Sequence, residues 1–211
     1  MRDVFQALLA NLGILSILLG AWSLTFQWSL RLTPLGRGAA MVVAGGSGAV
    51  LLMAVPIEFR PCIILDLRAV PIAFAGYFGG PIVGILVGAI TALFRLHLGG
   101  VGAWPAVIGI AAVTVLGIVV GQVCARHRTS ARCTIILSIL TAPTSVVGTF
   151  FVPAEIRDEV VGALVLPGMA ACVVGMLLVG AAVANELQRL KIAAENQLYR
   201  SLMDAFPEPL N

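Results

Sequence analysis

Long apolar runs separated by short polar breaks organise this chain. Apolar residues dominate Val4 to Leu24, Gly38 to Ile57, Cys62 to Leu98, Trp104 to Ala125, Cys133 to Val152 and Val160 to Ala184. Five of the six runs are close to the roughly 20 residues a helix needs to cross hydrocarbon, and none shows the period-two alternation of a barrel strand. With every backbone polar group to be satisfied inside lipid, the pattern predicts an all-α polytopic membrane bundle. The breaks carry Trp28, Arg31 and Arg37, then Pro56-Ile57-Glu58-Phe59-Arg60-Pro61, then Arg126-His127-Arg128 and Arg132, then a short acidic loop Glu155-Ile156-Arg157-Asp158-Glu159. Pro143 predicts a kink within its run.

From Asn185 the residues turn polar and helix-forming as far as Ala205. Leu187, Leu190 and Leu198 fall near a/d spacing with charges between them, which suits a parallel two-stranded coiled coil and hence a homodimer. A juxtamembrane helix lying on the lipid surface is the other reading. Phe206-Pro207-Glu208-Pro209 ends the helix.

The run from Cys62 to Leu98 is the exception in length. As one straight helix its about 37 residues would reach about 55 Å, against about 30 Å of hydrocarbon. Gly79-Gly80-Pro81 lies near its middle, and a reversal there changes the distribution of charge. With the reversal, Arg31 and Arg37, the Arg126–Arg132 cluster, and Arg189, Lys191 and Arg200 all fall on one side, opposite Glu58, Glu155, Asp158 and Glu159. A single crossing would split the first two basic groups. The positive-inside rule selects the reversal, with the N-terminus outside and the C-terminus in the cytoplasm. On two helices leaving one turn, Arg68 and Arg95 reach similar heights of about 17 and 21 Å. Gly76, Gly80, Gly84 and Gly88 form a small-residue ridge for close helix contact.

Composition agrees with an integral membrane protein: 60% hydrophobic and 11% charged residues in 211, with mean hydropathy +1.05. Val4 to Leu24 is too long for a signal-peptide core and should remain as a span. Cys62, Cys124, Cys133 and Cys172 are scattered without metal or redox spacing and read as packing residues, and His97 and His127 do not complete a metal set. A net charge of +3 placed at span ends is not a nucleic-acid footprint. No cofactor is implied, and no acid/base pair, nucleophile or phosphate loop stands in a catalytic setting.

Arg68 and Arg95 are therefore the main candidates for function, since arginine in a membrane segment is costly unless paired or facing water. Three readings stay open. Asp66 and Glu58 could neutralise Arg68 and Arg60; Arg95 could snorkel to the headgroups; or the two guanidinium forks could hold a small carboxylate in an outward pocket. In the last case Asp66, His97, Trp104 and the loop Gly99-Gly100-Val101-Gly102 would border the site, with Gly79, Gly80 and Pro81 at the opposite, cytoplasmic end.

The segment DLRAVPIAFAGYFGGPIVGILVGAITALFRLHLGG resembles the signature of the LytS/YhcK-type five-transmembrane receptor domain: an (N/D)-x-R segment, a GGP turn and a downstream R-x-x-x-GG. The resemblance covers roughly Gly38 to Ala184 and implies a sensor bundle over 37–184; the apolar run before it adds a transmembrane helix in residues 1–30, and the tail over 185–211 reads as a cytoplasmic signalling helix whose end, LYRSLMDAFPEPLN, resembles the start of a PAS domain. The family resemblance implies the input module of a sensor in the bacterial inner membrane, feeding a histidine kinase or diguanylate cyclase in a longer protein. The bundle is also similar to the substrate-binding components of energy-coupling-factor transporters, so a substrate-binding transporter subunit is the competing function. Some family members respond to small carboxylates such as pyruvate, with the arginines matching Arg68 and Arg95 as ligands. Asp66 stands where many members carry Asn, and a carboxylate there is expected to tie up Arg68 or lower anion affinity.

Overall fold

The computed structural model describes residues 9–18, 20, 32–54, 57–60, 63–125 and 131–205, with backbone alone for the strands and a few helical positions. Helix α1 (Leu9–Leu18) falls inside the expected first span; the rest of that span, Trp28 and Arg31 lie outside the described residues. Then come α2 (Pro34–Ala54), β1 (Ile57–Arg60), β2 (Ile63–Leu65), α3 (Ala69–Leu98), α4 (Ala103–Val123), α5 (Ala131–Ser145), a 3₁₀ turn (Val147–Phe151) and α6 (Ala154–Ala205). Five stretches are long and apolar enough to cross a membrane: α2, α3, α4, Arg132–Phe151, and Val165–Glu186 within α6. The protein is a polytopic helical membrane bundle.

Local chemistry sets the ends of the helices. Helix α2 starts four residues before the apolar run because Thr33 Oγ1 accepts the Gly36 N–H (3.2 Å) and Pro34 occupies the first helical position, where its missing N–H costs nothing. Helix α3 stops at Gly99, whose positive φ of 69° lets its N–H reach back to the carbonyls of Arg95 and Leu96.

Helix α3 is two helices folded against each other. Gly80 carries φ 77° and ψ −169°, a conformation closed to other residues at low cost, and Pro81 begins the return. A methyl group on Gly84 would lie 2.9 Å from the Gly76 Cα, whereas eight residues of straight helix would separate the two by about 12 Å. Gly45 of α2 faces both Ala75 and Val87, one from each arm. The first arm is buried almost all round, from Ala69 through Tyr77, and forms the centre of the bundle. The second arm buries one stripe (Val83, Gly84, Val87, Gly88, Thr91 and Arg95) and turns Ile82, Ile85, Leu86 and Leu93 outward toward lipid. Near the turn, Phe74 and Phe78 stack with centroids 5.7 Å apart, and Tyr77 meets Phe78 edge-on at 4.7 Å.

Lipid tails are as apolar as leucine, so helices associate here through close van der Waals contact rather than burial from water. Helix α4 illustrates this. A Cβ on Gly117 would lie 2.5 Å from the Ala73 carbonyl oxygen, and one on Gly76 would lie 2.9 Å from the Ile118 nitrogen. Any larger residue at either place would push α3 and α4 apart.

Four features depart from the sequence pattern. Residues 57–65 form a two-stranded antiparallel ribbon, with Ile57 opposite Leu65 and Arg60 opposite Ile63. Beyond Pro143 the fifth span does not merely kink: α5 ends at Ser145 and continues as the 3₁₀ turn, where Val146 and Thr149 N–H groups bond to Pro143 and Val146 carbonyls. The acidic stretch at Glu155 is the first turn of α6 rather than a loop, and α6 runs on without interruption through Asn185. Cys124 and Cys133, read from sequence as unpaired packing residues, form a disulfide with Cα atoms 6.3 Å apart, because the α4–α5 connection is short enough to bring the two helix ends together. Cys172 is free and buried. Residues 206–211, with the expected PAS-like start, lie outside the described residues, as do the side chains of Leu187 and Leu190. Leu198 is 61% exposed.

Candidate functional site

Asp66 and Arg68 occupy the short link between β2 and the first arm of α3. The Arg68 backbone N–H donates to Asp66 Oδ1 (3.0 Å), and the Arg68 Nε lies 3.2 Å from the same oxygen. Two donors on one carboxylate oxygen lock the link, and the Leu67 N–H adds a bond to Asn11 Oδ1 of α1 (3.4 Å). The far nitrogen of Arg68 reaches Met53 Sδ of α2 (3.1 Å). The Arg68 side chain keeps 15% exposure, while that of Asp66 has none.

Arg95 lies in the last turn of the second arm, where the helix dipole favours a cation. It is 2% exposed, and one guanidinium nitrogen donates to the Gly99 carbonyl (3.0 Å). Burial inside the protein rules out the snorkelling reading for Arg95. Internal pairing with Asp66 holds for Arg68.

The hairpin brings the two arginines, 27 positions apart by number, to one cavity of about 100 Å³. Asp66 lies on its wall with them. Pro105, Gly109 and Val113 of α4, Ser145, Gly148 and Thr149 of the α5–3₁₀ segment, and Gly168 and Cys172 of α6 complete it. Gly148 is required at its place: a Cβ there would run into the Pro105 carbonyl oxygen. The cavity combines mostly apolar walls with a few convergent charged groups, the composition of a small-ligand site.

His97 and Trp104 are not among the residues lining the cavity. Both face outward, Trp104 with 69% exposure, the placement of an aromatic at a membrane interface. Of the loop expected at the mouth, Gly102 alone reaches the wall. Sequence reasoning missed Ser145, Thr149 and Cys172. The span also carries Thr134, Ser138, Thr141 and Thr144, so nothing in the sequence singled out Ser145 and Thr149, and Cys172 had no signal either.

A second, larger cavity of about 290 Å³ lies between α1, α2, the first arm of α3 and α6. Its walls are apolar apart from Ser47, whose hydroxyl already donates to the Ala44 carbonyl. It offers a ligand no orienting group, so the chemistry lies with the arginines.

The family model described as 5TMR of 5TMR-LYT matches residues 26–186. No curated protein and no solved structure matches the chain. The matched range contains all five candidate membrane-spanning stretches and both arms of the hairpin that carries Arg68 and Arg95. The chain belongs to the 5TMR-LYT family of five-transmembrane receptor domains.

Proposed function

We propose that the chain is the input module of a bacterial inner-membrane sensor whose ligand is a small carboxylate bound between Arg68 and Arg95. The observation that carries this reading is the shared wall of the cavity. Two guanidinium groups, one paired by Asp66 and one buried at a helix C-terminus, border a space of small-molecule size. Charge asymmetry supports an opening to the outside, with the N-terminus outside and the C-terminus in the cytoplasm.

Transmission follows from α6. The helix that contributes Gly168 and Cys172 to the cavity continues to Ala205, so a ligand that shifts α6 shifts the polar segment after Asn185 with it. That rigid exit favours a sensor over a substrate-binding transporter subunit, which has no need of one. In this reading the exit helices of two protomers pair and feed a PAS-like domain and an output such as a histidine kinase or a diguanylate cyclase.

Calorimetric titration of small carboxylates, pyruvate included, into the detergent-solubilised protein tests the pocket. Wild type should bind at least one acid, and Arg68→Ala and Arg95→Ala should bind it more weakly. If no acid prefers wild type to both variants, the reading fails.

A further inference from the structure

The disulfide across the α4–α5 connection joins a firmly packed helix to a loosely held one. Cys124 caps the C-terminus of α4 and Cys133 is the third residue of α5, nine positions on. Helix α4 is pressed against the first arm of α3 down to this end: a Cβ on Gly121, three residues before Cys124, would lie 2.7 Å from the Tyr77 carbonyl oxygen. Helix α5 has 15 residues and gives way at its far end, beyond Pro143, to the 3₁₀ turn. The bond therefore ties the first turn of α5 to the α3–α4 frame.

That first turn bears on the exit helix. Thr134 follows Cys133 directly, and a Cβ on Gly180 of α6 would run into its Cγ2. Gly180 stands five residues before Asn185, where α6 turns polar on its way to Ala205. The pair also lies at the rim of the bundle: Cys124 and Cys133 are 8% and 9% exposed, and Val123, Ala125 and Arg132 beside them are exposed. The topology proposed above would put this rim in the cytoplasm, where small thiols keep cysteines reduced and a disulfide is typically transient and redox-sensing.

We propose that Cys124 and Cys133 form a redox switch on the exit helix. In the resting cell they are two thiols; a low-molecular-weight disulfide of the cell's thiol pool closes the bond, which pins α5 and holds α6 through Thr134 and Gly180. One protein thiolate attacks a sulfur of the small disulfide, breaks its S–S bond and expels one small thiolate. The other protein thiolate attacks the protein sulfur of the mixed disulfide and expels the second. The protein pair loses two electrons and two protons, and the small disulfide gains both to leave as two thiols. The short connection keeps the second thiol close to the first, so the mixed disulfide closes rather than persists. The proposal rests on the cytoplasmic placement of the connection and not on the ligand, so it stands apart from the carboxylate titration.

Two measurements test it. In acid-trapped cells, alkylation and mass spectrometry should find both thiols free before treatment with hydroxyethyl disulfide, a membrane-permeant small disulfide, and Cys124 linked to Cys133 after it. In nanodiscs, amides 181–190 should exchange hydrogen faster in reduced than in oxidised glutathione buffer, and Cys133→Ser should exchange at the faster rate in both. In Thr134→Ala the bond should still form while the difference between the two buffers shrinks. A linked pair in untreated cells makes the bond a permanent staple and overturns the switch, as does a pair that stays free after treatment. Equal exchange of wild type in the two buffers overturns the connection to α6, and an undiminished difference in Thr134→Ala overturns the route through Gly180. Should a variant fail to fold, wild type in its two states decides.

Discussion

Asp66 and Arg68 stabilise the site as a pair, and their burial is unequal. Removing the arginine leaves a carboxylate with no exposure and without its ion-pair partner among the described residues, whereas Arg68 itself keeps a path to solvent. Arg68→Ala should therefore lower stability by about 3 kcal/mol, and adding Asp66→Asn should recover about 1 kcal/mol or more, since an amide tolerates desolvation better than an ion. Melting temperatures of both single variants and the double variant, in one detergent, check this; strictly additive losses would mean that the two residues are uncoupled. Arg95 calls for a different variant. Arg95→Gln removes the charge, so small-carboxylate affinity should fall about tenfold or more, read by calorimetry on protein whose melting transition shows that it is folded. At this scale the sequence was legible where chemistry is local: the Asp66–Arg68 pairing spans two residues and was one of the readings available. It was illegible where helix phase decides. His97 is two residues from Arg95, about 200° round the helix, and so faces away from the cavity that Arg95 lines. Trp104 is likewise one residue, about 100°, from the buried Pro105.

Among the elements, the hairpin was the most legible because two independent signals agreed. Gly79-Gly80-Pro81 breaks the helix, and the reversal is the arrangement that gathers the basic breaks on one side. Its glycines have different tasks, which makes them separable by mutation. Gly80 has open space around a missing Cβ but combines φ 77° with ψ −169°, a region essentially restricted to glycine, so Gly80→Ala should cost about 1–3 kcal/mol from the backbone alone, and Gly80→Asn about as much. Gly117 has ordinary helical geometry but abuts the Ala73 carbonyl, so Gly117→Val should destabilise more by forcing α4 off α3. Thermal unfolding in detergent should rank Gly117→Val below both Gly80 variants; the opposite rank would place the strain in the turn. The ribbon over residues 57–65 was harder to read. Ile57-Glu58-Phe59-Arg60 does alternate apolar and polar, but over four residues flanked by prolines, too short to outweigh a loop reading. The start of α6 was misread for a related reason: Glu155, Asp158 and Glu159 look like a loop, yet acidic residues also suit the first turn of a helix, and Arg157 holds it by donating to the Val152 carbonyl (3.1 Å).

The whole molecule joins a cavity at one end to a polar helix at the other, and two measurements bear on that assembly. The first concerns orientation. The proposed topology would put the α4–α5 connection in the cytoplasm, a reducing compartment, yet Cys124 and Cys133 form a disulfide across it. Acid-trapped cells alkylated under denaturing conditions should therefore show both thiols modified, with the disulfide closing on oxidation of the purified protein; a disulfide already present in the cell would place the connection outside and invert the proposed topology. The second concerns transmission. Cys172 lines the cavity, and Ala184 lies 12 residues further along α6, about 18 Å away and on its exposed side. Ala184→Pro removes a helix hydrogen bond and bends α6 between the cavity and the exit without touching the ligand wall. If α6 carries the signal as a rigid element, ligand affinity should stay within about twofold of wild type, while ligand-dependent protection of amides 187–205 in hydrogen exchange should disappear. Retained protection in the proline variant would mean that the signal leaves the bundle by another route, and loss of affinity would mean that the cavity depends on the strain of an unbroken α6.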